Sequence, residues 1–394
     1  MEPLVIRRTR TDIENNKEYL DDLKKQKVNF PKVKDPIELF YKLDHELSKL
    51  FFDTVSMIIG LDENGNKTGK GLEYYRYRAI EFLAKEEDRK IYGNVGLISK
   101  RLSAIMRTLL VKRLESSFFA FKQSLFRLNK AIDNMLTMFE KDRVFIAPDL
   151  DINKLLEEGM SFDQIEEKIN QKGGNNREYK ADDFEDVFCD LLKEDKEKIQ
   201  NLVNRWDKVE SDPKLIAFAN KIEHEFFDPK KNHSNKLVIF TESKETANEL
   251  KEKLKETGKE KVLFISAENR KQSEQDIKQN FDANLEENNW ANDYDIIITT
   301  EVLAEGVNLH RSNIILNYDV PWNSTRLMQR IGRVNRIGSR ANTIYVYNFY
   351  PSAQGDRQIN LVNTALRKLQ AFHTAFGEDN KIFSHLEEKG KGAL

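Results

Sequence analysis

Cysteine is almost absent from this chain, since Cys189 is the only thiol among 394 residues. A single thiol excludes an intrachain disulfide framework and is typical of a protein kept in a reducing compartment. We interpret Cys189 as a buried or incidental thiol rather than a nucleophile, because no histidine-bearing motif accompanies it.

Long apolar runs are also missing. No stretch approaches the roughly 18 apolar residues of a membrane helix. The opening residues, MEPLVIRRTRTDIE, lack the apolar core of a signal peptide. We therefore expect a cytoplasmic protein without a membrane partner.

Charge of one sign is not in excess overall, because the formal net charge is −2. This balance argues against a protein that coats nucleic acid with its whole surface. Residues 311–340 nevertheless hold six arginines and a single acid, Asp319. Such a local excess can steer a polyanion to one site. The six are Arg311, Arg326, Arg330, Arg333, Arg336 and Arg340.

Helical patterns dominate the first 230 residues. Residues 1–35 are predicted to be an irregular linker, and residues 36–230 a mostly helical domain. The longest apolar stripe predicts one helix from an N-cap at Ser99 to Phe139. We interpret the stripe as a face buried in the core or in a coiled-coil seam. Shorter helices are predicted at 151–159, 161–171, 183–204 and 212–226.

Short β-branched runs alternate with helical segments from about residue 231 onwards. This alternation predicts right-handed crossovers and a parallel sheet covered on both faces. The fold class is therefore α/β over 231–350, with an all-α domain before it and a helical extension at 351–394. The predicted strands are 237–240, 262–266, 295–299, 313–318 and 343–350; the predicted helices are 243–256, 270–281, 324–334 and 356–376.

Two sequence blocks contain the residues that could bind phosphate groups, TTEVLAEGVNL (299–309) and QRIGRVNRIG (329–338). Helical spacing in the second block places Gln329, Arg333 and Arg336 on one face, away from the apolar face. Arginine suits phosphate because its planar guanidinium binds two oxygens at once and stays charged. Gly332 costs the helix roughly 1 kcal/mol relative to alanine, so we expect a close approach that requires it. A basic amphipathic surface helix is the alternative reading of this block taken alone.

The first block follows a predicted parallel strand that ends in Thr299 and Thr300. Ligands of α/β proteins bind at this edge of the sheet. Hydroxyls and amides there can hold phosphodiester oxygens, and Gly306 lets a main chain come close. Ordinary β propensity for the threonines and a turn for Gly306 remain equally open.

Together the two blocks resemble motifs V and VI of the second RecA-like lobe of superfamily 2 helicases, most like the Swi/Snf-type DNA translocases. The resemblance implies that Arg333 and Arg336 are catalytic arginines that reach into a nucleotide site between two lobes. It further implies nucleotide-binding roles for Gln329, Glu305, Gly306 and Arg330, of which Arg330 has a structural alternative. It implies nucleic-acid contacts for Thr299, Thr300 and Asn308.

Other segments carry weaker resemblance to the same family. LVIFTES (237–243) is similar to motif IV, which implies nucleic-acid contacts for Thr241 and Ser243, although Ser243 is favoured as a simple N-cap. A DNA contact by Arg270 is doubtful, because Ser266 and Ala267 replace the family's glycine-containing turn. PLVIRRTRTDI (3–13) resembles the entry to lobe two, and 107–125 resembles an insertion of bacterial Swi/Snf-type helicases.

The sequence blocks that would form the nucleotide-binding first lobe of such a motor are not found in this sequence. A glycine-rich phosphate loop should end in a lysine and a hydroxyl residue, with an acidic strand end for magnesium. In GLDENGNKTGKG (60–71) Asn66 stands in the place of the lysine, so we interpret this segment as a loop. The resemblance therefore implies that ATP and Mg²⁺ bind mainly to a first lobe of the same natural polypeptide, and no metal site is expected here.

The sequence thus predicts the C-terminal motor lobe of an ATP-dependent translocase on double-stranded DNA, inactive without its first lobe. An RNA helicase of the same superfamily and a degenerate, non-catalytic scaffold remain alternatives. An unrelated nucleotide-binding α/β protein is favoured less, because its glycine-rich turn is not found.

Overall fold

The computed structural model describes residues 31–60, 71–93, 95–148, 150–151, 162–321 and 324–352, with five single positions at 17, 19, 21, 25 and 69. The described residues form two compact units. One comprises 31–41 with 214–350, and the other comprises the described part of 42–213. Among the described helices, none combines the length and the apolar character needed to span a bilayer.

The first unit is built on a seven-stranded sheet. Its strands are β1 (Lys32–Val33), β2 (Ile37–Lys42), β5 (Leu237–Phe240), β6 (Val262–Ile265), β7 (Ile296–Thr299), β8 (Ile314–Asn317) and β9 (Thr343–Ser352). They run in the order β1-β9-β8-β5-β7-β6, with β2 also paired to β9. The five strands from β5 to β9 are parallel to their neighbours, which confirms the predicted parallel sheet.

The strands β5, β7 and β8 are buried at every residue. Complete burial is expected where helices cover both faces of a parallel sheet. The helices of this unit are α7 (Pro213–Lys221), α8 (Lys244–Glu256), α9 (Glu274–Phe281) and α10 (Ser324–Val334). Three of them fall within the predicted helical segments between the strands. The apolar faces of α9 and α10 join the strands in one core cluster that includes Phe240, Ile277, Ile331 and Val334.

Two strands lie where the sequence predicted none. The segment 32–33 was assigned to an irregular linker and 37–42 to a helical domain, yet both pair with β9. The alternation in β2 explains the correction, because Leu39 and Tyr41 are buried whereas Phe40 is exposed. A period of two is the strand signature, and six residues are too few for it to stand out.

The sheet unit begins earlier than the limit predicted at residue 231. Helix α7 and the π-helical turn Ile222–Phe226 pack against the sheet. Phe218 lies edge-on to Tyr318, directly after β8, with 5.8 Å between the ring centres, and Phe226 lies edge-on to Tyr347 of β9, with 5.2 Å between the ring centres. The structure thus divides the chain at 213–214.

The second unit is mostly helical. It contains α1 (His45–Ile59), α2 (Glu86–Ile91), α3 (Val95–Ser116), α4 (Phe118–Glu140), α5 (Phe162–Lys172) and α6 (Phe188–Trp206). A two-stranded antiparallel sheet of β3 (Val144–Ile146) and β4 (Arg177–Tyr179) completes its described part. The helix predicted at 161–171 is confirmed as α5. Those predicted at 151–159 and 356–376 lie largely or wholly outside the described residues.

The single long helix predicted from Ser99 to Phe139 is wrong. Two helices occupy this stretch, because Ser117 takes an extended conformation and its hydroxyl accepts a hydrogen bond from the Ala120 amide at 3.1 Å. Ser117 is therefore the N-cap of α4, and Ser99 lies inside α3 rather than at its start. The core interpretation of the stripe is confirmed at Leu114 and along α4, where Leu125 and Leu128 are buried. It is wrong for the earlier part of α3, where Leu102, Ile105 and Leu109 are exposed.

Candidate functional site

The predicted site residues come together at the carboxyl edge of the sheet. Residues Phe240, Thr299 and Asn317 end their strands in register across β5, β7 and β8. The chain segments that follow these ends therefore leave the sheet side by side. Thr300 is half-buried at this edge, where its amide donates to the Ile265 carbonyl at 3.4 Å.

The Asp319 carboxylate accepts hydrogen bonds from several residues at this edge of the sheet. Its Oδ2 accepts from the Thr241 hydroxyl at 2.6 Å and from the Glu242 amide at 2.9 Å. Its Oδ1 accepts from Lys214 Nζ at 3.0 Å, and the two side chains are only 9% and 5% exposed. The carboxylate thereby links α7 to the ends of β5 and β8.

Three predicted nucleic-acid contacts are buried in this network. The Thr241 hydroxyl is bound to Asp319, and the Thr299 hydroxyl donates to the Thr300 carbonyl at 2.9 Å. Ser243 caps α8, since its Oγ accepts from the Thr246 amide at 3.1 Å. To donate to a phosphodiester oxygen, the Thr241 and Thr299 hydroxyls would have to give up these bonds, and Ser243 its bond to Glu245 Oε2 at 3.0 Å. The favoured reading of Ser243 as a simple N-cap matches its position.

Arg330 is fully buried beneath the site. Its Nη1 donates to Asn317 Oδ1 at 3.0 Å and to the Asp319 carbonyl at 2.7 Å, and its Nη2 forms an ion pair with Glu301. The guanidinium also lies 5.0 Å from the ring centre of Phe240. The predicted nucleotide contact does not fit this burial. Arg330 instead joins α10 to the ends of β7 and β8, which was the structural alternative.

Two more arginines of the segment 311–340 are used within the lobe. Arg311 is buried and donates to the Gln279 and Ala291 carbonyls at 2.7 and 2.9 Å. Arg340 pairs with Glu287 at 2.6 Å. The positive charge that is free to bind an anion is therefore smaller than the sequence count suggests, because Arg311 is held by main-chain carbonyls and Arg340 is paired with an acid.

Arg333 and Arg336 differ from these arginines. Both are half-buried, and in the described part of the chain neither forms a salt bridge. Arg333 makes long hydrogen bonds, from Nε to the Gln329 carbonyl at 3.3 Å and from Nη1 to the Val307 carbonyl at 3.5 Å. Arg336 Nε reaches the Gly332 carbonyl at 3.3 Å. Burial and then the charge of Arg336 lower the pKa of Arg333, and the charge of Glu305 opposes this shift.

The segment 305–308 lies beside the two arginines. Glu305 Oε1 accepts from Gln329 Nε2 at 3.0 Å, and its carbonyl accepts from Arg270 Nη2 at 3.0 Å. Gly306 has a φ of +75°, and a Cβ there would lie 2.6 Å from Arg270 Nη2. Asn308 Nδ2 donates to Asp282 Oδ2 at 2.9 Å. The structure thus brings the predicted Glu305, Gly306 and Asn308 together with the arginine block.

A cavity of about 400 Å³ opens beside this segment. Its wall includes four cationic side chains, and three of them were not predicted as site residues. The acids Glu274 and Asp282 share the wall, and Lys278 pairs with Glu274 at 2.8 Å. The seven-residue spacing of Lys271 and Lys278 places both on one face of a helical pattern, which is the signal that could have revealed them. The four cations are Arg270, Lys271, Lys278 and Arg336.

Several predictions fall outside the described residues. These concern the segment 3–13 and most of the loop 60–71. Among the residues that are described, no group of three or more His, Cys, Asp and Glu side chains could hold a metal ion.

Residues 217–338 match the model of the helicase conserved C-terminal domain. The chain is 27% identical over 193 residues to the uncharacterized ATP-dependent helicase YqhH of Bacillus subtilis (strain 168), covering 49% of this chain and 31% of that protein. It is 26% identical over 172 residues to the ATP-dependent RNA helicase dbp2 of Aspergillus clavatus, covering 44% and 28%. The chain thus spans about a third of the length of these relatives.

Solved structures of other proteins align with much of this chain. The Hef helicase domain of Pyrococcus furiosus aligns over 89% of this chain and 60% of its own, at 14% identity and a TM-score of 0.40.

Proposed function

We propose that this chain is the second motor lobe of an ATP-dependent translocase of the Swi/Snf type, because residues 217–338 match the model of the helicase conserved C-terminal domain. In this proposal it works with a first lobe of the same natural polypeptide, in the cytoplasm. The Swi/Snf assignment is supported by the sequence blocks at 299–309 and 329–338 and by the helical segment 107–125. Double-stranded DNA is the proposed track.

The observation that carries the proposal is the contrast among the arginines of α10. Arg330 is buried and paired with Glu301, whereas Arg333 and Arg336 are half-buried and without a salt bridge in the described residues. Two nearby guanidiniums that form no salt bridge in the described residues suit the γ-phosphate of a nucleotide. Charge spreads over the phosphoryl oxygens in the transition state of phosphoryl transfer, where an inserted arginine can contribute about 10³–10⁵ in rate.

ATP and Mg²⁺ would be held mainly by the first lobe, and Mg²⁺ would neutralise charge on the phosphates. This chain would contribute the guanidiniums of Arg333 and Arg336. Gln329 would hold Glu305 in place through their 3.0 Å hydrogen bond and so shape the segment beside the arginines. This lobe alone should hydrolyse no ATP.

The nucleic-acid contacts would lie at the carboxyl edge of the sheet. Thr300 is half-buried there, and Asn308 is half-buried beside the cationic cavity. The segment 305–308 would then lie between a phosphodiester bound near Thr300 and the pair Arg333 and Arg336. Residues 300–308 would thereby couple the nucleic-acid track to the nucleotide.

The test is ATP turnover by the full-length protein with double-stranded DNA, and by its Arg333→Ala variant. We expect duplex DNA to stimulate turnover and the substitution to reduce kcat by about 10³-fold or more, without a change in thermal stability. Asn248→Ala, an exposed substitution on α8, is the control and should leave turnover unchanged. Near-normal turnover by Arg333→Ala would overturn the proposal.

An RNA track is the second candidate, because one relative is named as an RNA helicase. Parallel assays with duplex DNA, single-stranded DNA and RNA separate the two. Stimulation by RNA alone would replace the DNA assignment but leave the motor assignment intact. No turnover with any nucleic acid, from a folded full-length protein, would favour a non-catalytic scaffold.

A further inference from the structure

Basic residues are concentrated in two consecutive helices of the helical unit. Residues 95–132, which span α3 and most of α4, contain eight cationic side chains and one acid, Glu115. In the rest of 42–213 the acids outnumber the cations. A local excess of this kind attracts a polyanion even though the formal net charge of the chain is −2. The eight are Lys100, Arg101, Arg107, Lys112, Arg113, Lys122, Arg127 and Lys130.

Two phenylalanines of α4 are exposed beside these cations. Phe119 is 45% exposed and Phe126 is 59% exposed. Phe118 and Phe121 of the same helix are instead buried, and both lie edge-on to Trp206. Among the described residues, Phe119 and Phe126 contact no other aromatic ring. Both exposed rings therefore offer a face to a ligand.

Helical spacing places these rings and two cations on one side of α4. Phe126 follows Phe119 by seven residues and Lys130 follows Phe126 by four, so the three lie along one line. Arg127 lies next to this line, and Arg127 and Lys130 are both exposed. Seven residues of helix span about 10.5 Å, which about three stacked nucleotides cover at about 3.4 Å each. The opposite side of α4 is buried in the core of the helical unit, so the line belongs to a firmly packed helix.

This arrangement fits single-stranded nucleic acid better than it fits other polyanions. Aromatic side chains bind a single strand because each unpaired base has a π-face, and cations beside them hold the phosphates. The bases of a duplex are already stacked on one another, so a ring on a protein surface cannot stack between them without opening the duplex. A helix that binds an anionic membrane carries its apolar residues on one face and its cations on the opposite face. On α4 the exposed rings and cations share one face.

We propose that the α4 face, formed by Phe119, Phe126, Arg127 and Lys130, binds single-stranded nucleic acid. The two rings stack on unpaired bases, and the two cations hold the phosphates beside them. This inference goes beyond the proposed function, which places the nucleic-acid contacts at the carboxyl edge of the sheet. It requires no ATP turnover, because the α4 face lies entirely within the helical unit.

The first test asks whether binding depends on the rings. The probe is a labelled oligothymidylate of about 20 nucleotides, longer than the roughly 4–16 nucleotides that one OB-fold covers, and fluorescence anisotropy gives the Kd for this chain. Replacing Phe119 and Phe126 together by leucine should raise the Kd at least about tenfold, because leucine cannot stack on a base. Replacing both by tyrosine keeps the rings and should leave the Kd within about twofold of wild type. Both positions are exposed, so the melting temperature of either variant should stay within about 2 °C of wild type. A wild-type Kd in the leucine variant would overturn the proposal.

The second test asks whether the two cations hold phosphates. Arg127→Gln with Lys130→Gln should reduce the slope of log K against log salt by about 1.4, because each phosphate contact on a single strand contributes roughly 0.7. Lys90→Gln with Lys193→Gln is the matched control, since it removes the same charge from exposed positions on α2 and α6. The control should keep the wild-type slope. An equal reduction in both variants would mean that only the overall charge matters, and it would overturn the α4 face as a site.

Two further ligands distinguish the α4 face from other surfaces. Duplex DNA of the same length should bind the leucine variant and wild type equally well, and an equal loss on duplex and single strand would overturn the proposal. Vesicles of phosphatidylserine and phosphatidylcholine should not bind through these residues. Wild type that binds such vesicles but not the oligothymidylate would assign the α4 face to a membrane surface and overturn the proposal.

The outcomes for the α4 face and for the motor are separate. Ring-dependent binding by a full-length protein without ATP turnover would support the α4 face and count against the proposed function. Single-strand binding that is unchanged in the leucine variant, in a protein with duplex-stimulated turnover, would overturn the α4 face and leave the proposed function standing.

Discussion

Arg330 and Arg333 are three residues apart on α10, yet replacing each by methionine should change a different property. Arg330→Met should lower the free energy of unfolding, whereas Arg333→Met should remove ATP turnover and leave stability nearly unchanged. Arg330→Met removes hydrogen bonds to Asn317, the Asp319 carbonyl and Glu301 from a fully buried position. Removing one partner of a buried ion pair typically costs about 3–5 kcal/mol. We expect the lower part of this range, because the Glu301 side chain is 29% exposed and can take up water.

Arg333→Met should change the free energy of unfolding by less than about 1 kcal/mol. Its hydrogen bonds to carbonyls are long, at 3.3 and 3.5 Å. Methionine keeps much of the side-chain volume, and removing one charge relieves the repulsion from Arg336. Arg333→Met should therefore abolish ATP turnover of the full-length protein without loosening the sheet.

Hydrogen exchange read by mass spectrometry on peptides from β5, β7 and β8 is the suitable assay, because it reports the sheet unit separately from the helical unit. Urea unfolding followed by circular dichroism gives the matching global value. Equal losses of stability in the two variants would refute the division of these arginines into a structural one and a phosphate-facing one.

Three further outcomes are expected. In a double-mutant cycle by urea unfolding, Lys214→Met and Asp319→Asn should couple by about 1–3 kcal/mol; additive losses would mean that their 3.0 Å ion pair is not stabilising. Burial, reinforced by the charge of Arg311, lowers the pKa of the Lys236 ammonium to about 8. The unfolded chain therefore binds the Lys236 proton more tightly than the folded chain does. The free energy of unfolding should rise as the pH passes from about 8 to the ordinary pKa of lysine. Relative to Lys236→Met, wild type should gain about 2 kcal/mol between about pH 7 and pH 9.5, and a constant difference across this range would contradict the lowered pKa. Gly306→Ala should lose about 1–2 kcal/mol in thermal unfolding, because its φ of +75° disfavours a Cβ, whereas Gly306→Asn should lose less; equal stability of all three would contradict this φ.

The central strands and helices of the sheet unit could be predicted because their information is local. LVIF, DIIIT and NIILNY are continuous apolar runs, and such runs specify strands covered on both faces. The amphipathic pattern of 324–334 likewise predicted α10 at its observed limits. The boundary between α3 and α4 failed because apolar spacing continues through Ser117, and only the capping hydrogen bond interrupts the helix.

The roles of the arginines could not be read from the sequence. Arg330 and Arg333 carry the same charge on the same helix, and they differ in their partners after folding, since Arg330 alone pairs with Glu301, 29 residues upstream of it. Arg340 is neutralised by Glu287 in the same way. The sequence shows how many arginines a segment contains. Whether an arginine can bind a ligand depends on whether an acid or a carbonyl of the folded chain already holds it. The cationic cavity escaped prediction for the same reason, since Lys271 and Lys278 reach Arg336 only in the folded lobe.

The pairing of β1 with β9 has a consequence for how the chain is made. Lys32 aligns with Thr343, and Val33 with Ile344, so strands from the two ends of the described chain meet in one sheet. On a ribosome, β1 and β2 would emerge long before their partner and would wait through the synthesis of the entire helical unit. Such distant pairings form late, and unpaired strands are prone to aggregate in the interval. A nascent chain halted before residue 343 should therefore hold β1 and β2 without their sheet, and it should depend on chaperones more than the finished protein does.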